Sequence, residues 1–318
     1  MFKERIKIIK KLEKEFDSIL ILYVTSDRPG AETQIASDAI DSFINQLDKI
    51  GPVKRISLVL DTCGGETLAA WNLVNLIKMY CDEFEVIIPY KALSAGTLIS
   101  LGANRIVMTK QAILGPIDPS LDSPLNPKMD NQHNYPVSVE AVEEYIKIAK
   151  DRLGLKDDKA LADVLLKLSE KVHPLVLGQV FRTREQIKMI ADKLLASQIE
   201  DKSIRDDVIK FLCSESGSHD YTINRREAKI ALNLNIQKPT ENQYNLIKEL
   251  YDDFSEELEL KKRSDFKGMN SFYLKRGIIE TKYDSYMFVT EGTVKSQINP
   301  NGSINLVPNI NSEGWRKM

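Results

Sequence analysis

Cysteine and histidine are both scarce. Three cysteines, Cys63, Cys81 and Cys213, and three histidines, His133, His173 and His219, are spread over 318 residues. The cysteines form no CxxC pair and have no histidine at ligand spacing. That argues against a disulfide framework, offers no metal site and fits a reducing, cytoplasmic compartment. Long apolar runs are missing too. The longest near the start, Ile19-Leu20-Ile21-Leu22-Tyr23-Val24, has strand length and falls well short of the roughly 18 residues a membrane-spanning helix needs. Neither sign of charge prevails: 44 Lys and Arg face 46 Asp and Glu, a net −2. Nothing therefore draws the whole chain to nucleic acid or an anionic membrane, and no nucleic-acid partner is expected. No GxGxxG follows a strand, so no nicotinamide is expected, nor any other cofactor or metal. Internal repeats and low-complexity tracts are absent.

What the chain does have is concentrated in residues 84–120. An apolar strand, Val86-Ile87-Ile88, leads through Lys91-Ala92-Leu93 to Ser94-Ala95-Gly96, and Thr97 to Ala103 are apolar at helical spacing. Ser94 therefore stands where a strand hands over to a helix, with its hydroxyl exposed and the first helical N–H groups unpaired. Ala92, Ala95 and Gly96 are small enough for a substrate backbone to approach. A serine nucleophile with an oxyanion hole needs this geometry, although an ordinary N-cap serine carries the same local signature. A second unit precedes it: a buried strand over 56–60, the turn Gly64-Gly65, and an apolar helix from Leu68 to Ile77. Gly65 stands 29 positions before Ser94. Parallel strands would bring both turns to one sheet edge, where sites of open α/β folds form. The N–H groups of Gly65 and Ala95 would then face one developing oxyanion.

Gly64-Gly65 and Ser94-Ala95-Gly96, with the helix between them, resemble the Clp protease proteolytic subunit within the Clp-protease/crotonase superfamily. Ser94-Ala95-Gly96-Thr97-Leu98-Ile99, Leu101-Gly102-Ala103, Ile106-Val107-Met108 and Leu114-Gly115-Pro116-Ile117-Asp118-Pro119 more closely resemble the serine dehydrogenase proteinase family, which is related to signal peptide peptidase A. The resemblance covers roughly residues 18–235. It implies an α/β, Clp-protease/crotonase-like ββα-repeat fold and a serine endopeptidase acting on peptide or protein substrates. It also implies a homo-oligomer and a regulatory or ATPase partner.

Along the chain, Phe2 to Phe16 form a basic amphipathic helix without the features of a signal peptide. It is the only stretch suited to touching a membrane surface, and packing on its own domain or on a partner subunit is the stronger expectation. Strands and helices then alternate, with a strand at 18–24, a helix at 35–50, strands at 56–60, 85–89 and 105–109, and helices at 66–80 and 94–103, the signature of a parallel sheet. A proline-rich loop fills 115–137. Helices at 138–153, 158–172 and about 182–200, interrupted at His173-Pro174, make 138–212 a helical projection of a 1–240 domain. Residues 241–318 read as a small C-terminal α+β module: a charged helix at 241–262, then short strands over 271–306 turning at Asn299-Pro300-Asn301-Gly302.

A serine hydroxyl needs a base. The resemblance places a histidine after the strand that follows the nucleophile helix, but this chain has Asp118 there. It also places an aspartate at Asp220, seven residues before Glu227-Ala228. A rearranged constellation follows, with His219 as base and Asp118 or Asp220 as orienting carboxylate, since a triad is defined by geometry and not by chain order. A lysine base, as in relatives of signal peptide peptidase A, would be Lys128, Lys147 or Lys150. Asp118 also suits a turn, His173 a helix end and His133 a solvated loop. Cys63 is not expected to be the nucleophile. Two other functions compete: a catalytically silent peptide-binding or regulatory scaffold, and a crotonase-like acyl-CoA enzyme whose paired N–H groups hold an enolate.

Overall fold

The computed structural model describes residues 2–117, 120–121, 124–127, 137–215, 218, 220–262, 269–298 and 304–318. Helix α1 (Phe2–Phe16) is followed by β1 (Ile19–Thr25), α2 (Ile40–Ile50), β2 (Val53–Asp61), α3 (Thr67–Lys78), β3 (Cys81–Ile88), β4 (Lys91–Ala92), α4 (Ala95–Leu101), β5 (Arg105–Met108) and β6 (Ile113–Leu114). The short pair β7 (Ser120–Leu121) and β8 (Val137–Ser138) leads into α5 (Val139–Lys147), α6 (Asp158–Ser169), α7 (Pro174–Leu195) and α8 (Lys202–Lys210). Then come β9 (Ile223–Asn224), α9 (Arg225–Ile230), β10 (Ile236–Gln237), α10 (Glu241–Glu257), β11 (Ser271–Glu280), β12 (Ser285–Ile298) and β13 (Ile304–Lys317).

The main sheet has the order β10-β5-β3-β2-β1-β11-β12-β13. Strands β10 to β1 run parallel, and β11 to β13 continue the sheet antiparallel. Because side chains alternate along a strand, β1 sends Ile21 and Tyr23 to one face and Leu20, Leu22 and Val24 to the other. The first face is covered by α2, α3, α4 and the second half of α7. The second is covered by α1 and α10, through Ile8, Ile9, Leu12 and Phe16 on one side and Ile247, Leu250 and Phe254 on the other. The apolar stripe of α1 is thus buried in its own chain, and no helix among the described residues is long and apolar enough to cross a membrane.

Three local expectations are corrected. Residues 174–195 form one unbroken helix. Proline is tolerated in a first turn, where its missing N–H has no intrahelical partner, and the His173 ring accepts the N–H of Leu175 as N-cap. The strands after residue 271 are ten to fourteen residues long, not short, and β11 pairs with β1, so residues expected to form a separate module share the main sheet. Ile35, read as the start of a helix, is extended and bridges Gly65. The expected turn at 299–302 lies outside the described residues. The projection has its own small core, Val137, Val142, Val176, Leu177 and Val180, while α6 buries no residue.

Candidate active site

A second, three-stranded sheet, β4-β6-β9, builds the corner that carries Ser94. Strand β4 runs parallel to β6, with Ala92 opposite Leu114, and β9 runs antiparallel to β6, with Leu114 opposite Ile223. Three places therefore reach one edge: the end of β4 that leads into Ser94, the end of β6 that leads toward residue 118, and the start of β9 just after Asp220. Asp220 itself lies in an exposed turn, its N–H donating to Ser218 Oγ at 3.2 Å. Asp118, His219, His133 and Lys128 lie outside the described residues. Lys147 is exposed on α5 and paired with Glu144 at 2.7 Å, and Lys150 is exposed one helical turn on.

Ser94 is not an ordinary N-cap. Its backbone sits at φ 51, ψ −113, and its hydroxyl makes no capping bond. An N-cap residue is normally extended. For a non-glycine residue this conformation costs on the order of 1–3 kcal/mol, and the surrounding structure has to impose it. A serine on a sharp, strained strand-to-helix corner is how α/β folds lift a nucleophilic hydroxyl clear of the sheet. The corner is braced from behind. Leu93 C=O accepts the N–H of Gly96 at 2.8 Å. Thr97 Oγ1 donates to Ala92 C=O at 2.9 Å and accepts the N–H of Gly115 at 3.1 Å. All seven residues of α4 are buried.

The Gly-Gly turn lies directly against this corner. Gly64 (φ 114) and Gly65 (φ 147) both hold conformations that L side chains rarely adopt. A β-carbon on Gly64 would lie 3.3 Å from Ala95 N, and one on Gly65 would lie 2.1 Å from Ile35 O. Ile35 fixes the turn from its far side: its N–H donates to Gly64 C=O and its C=O accepts the N–H of Glu66, each at 2.8 Å. In a parallel bridge of this kind the central residue turns its own N–H away from the partner. Among the described residues the N–H groups of Gly65 and Ala95 have no backbone partner.

Several contributors were not legible beforehand. Thr62 joins the Gly-Gly turn to the serine corner by donating its N–H to Lys91 C=O at 3.0 Å and accepting the N–H of Leu93 at 3.1 Å. Thr62 Oγ1 accepts the N–H of Gly64 at 3.0 Å and pairs with Thr25 Oγ1 at 2.6 Å. Lys91 is buried and ion-paired with Asp27. Burial alone would lower its ammonium, but Asp27, Cys63 and Asp61 outweigh burial and hold it above its usual range, so it is poorly suited to act as a base. Burial also raises the Cys63 thiol, with Lys91 opposing, which leaves little thiolate. A cavity of about 810 Å³ lined by Lys10, Lys14 and Lys54 lies at the other end of the sheet, where β1 and β2 begin.

An α/β sheet whose edge presents a strained serine against a glycine turn defines a class of Clp-like proteins. More narrowly, the chain belongs to the ClpP-like SDH-type serine proteinase family, whose model matches residues 42–257. Two uncharacterized proteins of Methanocaldococcus jannaschii are similar to it. One is 32% identical over 200 residues, covering 62% of this chain and 59% of the relative. The other is 30% identical over 202 residues, covering 62% and 56%. The match thus spans less than three fifths of the length of these curated relatives. Among solved structures, a membrane-bound stomatin-specific protease in complex with a substrate peptide is similar at 17% identity and TM-score 0.41, covering 71% of this chain and 78% of that one. ClpP1 from Listeria monocytogenes is similar at 15% identity and TM-score 0.37, covering 74% and 97%.

Proposed function

We propose that the protein is a serine endopeptidase that cleaves peptide or protein substrates through an acyl-enzyme on Ser94. The observation that carries this reading is the strained Ser94 corner pressed against Gly64. In the proposed reaction, Ser94 Oγ attacks the peptide carbonyl and the N–H groups of Gly65 and Ala95 take up the oxyanion. His219 removes the hydroxyl proton and returns it to the leaving amine, with Asp220 or Asp118 orienting the ring. Water then releases the acyl group. Two things support this reading. The N–H groups of Gly65 and Ala95 lack backbone partners among the described residues, and the end of β4 that leads into Ser94 meets the end of β6 and the start of β9 at one edge.

The working protein, in this reading, is a cytoplasmic homo-oligomer in which residues 138–212 project from the domain and contribute subunit contacts. The exposed Leu153, Leu166 and Leu175 on that projection support it. A regulatory or ATPase partner remains part of the proposal. Light scattering should give a multimer mass at micromolar concentration, and a monomer there would remove the assembly from the proposal.

A fluorophosphonate probe tests the nucleophile. It should label the wild-type protein and leave Ser94→Ala unlabelled. Equal labelling of both would remove Ser94 from the chemistry. No labelling of either, together with retained peptide binding, would favour the scaffold reading.

A further inference from the structure

Behind the Gly-Gly turn, on the α10 side of the sheet, four ionisable groups meet. Lys91 from β4 reaches the carboxylate of Asp27, on the segment after β1. Asp61, the last residue of β2, is 1% exposed, and its Oδ2 has no hydrogen-bond partner among the described residues. Cys63 belongs to the turn itself, and its thiol faces the same ammonium. The Tyr90 ring lies 5.6 Å from Lys91 Nζ, and the ring of Tyr251 on α10 lies 5.9 Å from that of Tyr90. One buried cation thus faces acidic groups from two separate chain segments, Asp27 after β1 and Asp61 with Cys63 after β2. Its own backbone carbonyl holds Thr62, whose hydroxyl holds the N–H of Gly64.

From this geometry we propose that Lys91 is a positioning residue: through its ion pair with Asp27, beside the buried Asp61, it fixes the Gly64-Gly65 turn against the Ser94 corner. The inference rests on the peptidase reading for its consequence, the alignment of the Gly65 N–H with the oxyanion. A buried ammonium between carboxylates holds its partners only while they are ionised, and removing one partner leaves an uncompensated charge. Burial pushes the Asp61 carboxyl up to about 7, against the pull of Lys91 and its backbone N–H, with Asp27 adding repulsion. Below that range Asp61 carries a proton and its electrostatic attraction for the Lys91 ammonium weakens. The turn is therefore held most firmly above neutrality.

The test compares wild type, Lys91→Met, Lys91→Arg and Asp61→Asn in two measurements: the rate of fluorophosphonate labelling of Ser94 against pH, and amide exchange over peptides containing residues 62–65 and 91–94. Misplacing a catalytic group slightly costs roughly tenfold to a hundredfold, and Lys91→Met should lose labelling rate in that range. Its acid limb should also move to higher pH, because Asp61 loses the cation that favours its ionised form. Lys91→Arg should restore most of the rate, and Asp61→Asn should lose this limb. Unchanged labelling and an unchanged limb in Lys91→Met would overturn the proposal. If wild type resists the probe at every pH, the serine-nucleophile reading falls and exchange decides the positioning role. Faster exchange in Lys91→Met, reversed in Lys91→Arg, would support it; unchanged exchange would end it.

Discussion

A β-carbon placed on Gly64 would lie 2.7 Å from the β-carbon of Ser94. Real β-carbons do not approach that closely, so the serine corner and the glycine turn fit together only because one of the two positions lacks a side chain. Ser94 pays for its exposure in backbone strain, and Gly64 removes the steric obstacle to it.

The first prediction follows from this contact. Gly64→Ala and Gly65→Ala should each abolish most labelling of Ser94. Losing one oxyanion donor alone costs about 10²–10³-fold, and forcing a side chain into these positive-φ positions displaces the donors. Gly51→Ala is the control. Its φ is 68 and nothing lies within 4 Å of a new β-carbon, so it should lower stability by about 1 kcal/mol and leave labelling unchanged.

The base is tested by His219→Ala. Turnover on a peptide should fall by about 10²–10⁴-fold while the far-ultraviolet circular dichroism stays that of wild type. A variant working within about threefold of wild type would transfer the role to a lysine such as Lys128, Lys147 or Lys150.

Stability should depend on Arg5. Its fully buried guanidinium meets Asp253 at 2.9 Å, Glu280 at 2.8 Å and Glu257, tying α1 to α10 and β11. Arg5→Met strands these carboxylates without their cation, and removing one member of a buried pair costs about 3–5 kcal/mol. Urea unfolding should show that loss.

Asp61 gives a stability signature separate from activity. Burial raises its carboxyl in the folded state to about 7, from an ordinary 3.8. Between those limits the folded state binds more protons than the unfolded chain, so stability falls as pH rises through that window. Asp61→Asn removes this contribution. The melting temperature of the variant should therefore gain on wild type from pH 4 to pH 7, and a constant difference would refute the assignment.

The sequence made the serine corner legible because turn chemistry is local. Strand, small residues and apolar helix follow one another within a few positions around Ser94, and the Gly64-Gly65 turn announces itself in the same way. The braces were not legible because they are long-range. Nothing near Ile35 says that it pairs with Gly65, and nothing near Lys91 says that its side chain is buried and ion-paired with Asp27. Residues 271–298 alternate as strands should, yet their partner β1 lies some 250 residues earlier, so the shared sheet could not be read from composition. Pro174 misled for a different reason: a proline that starts a helix and one that breaks it look alike until the cap on His173 is known.

The pairing of β1 with β11 has a consequence for how the chain is made. During synthesis α1 and β1 emerge well before the strand that covers one edge of β1 and the helix that seals the stripe of α1, which come from residues 241–280. Until then that stripe and that open strand edge are exposed, and such surfaces invite aggregation. A ribosome-bound chain arrested before residue 241 should therefore bind a chaperone that recognises apolar segments, and release it once α10 and β11 have emerged.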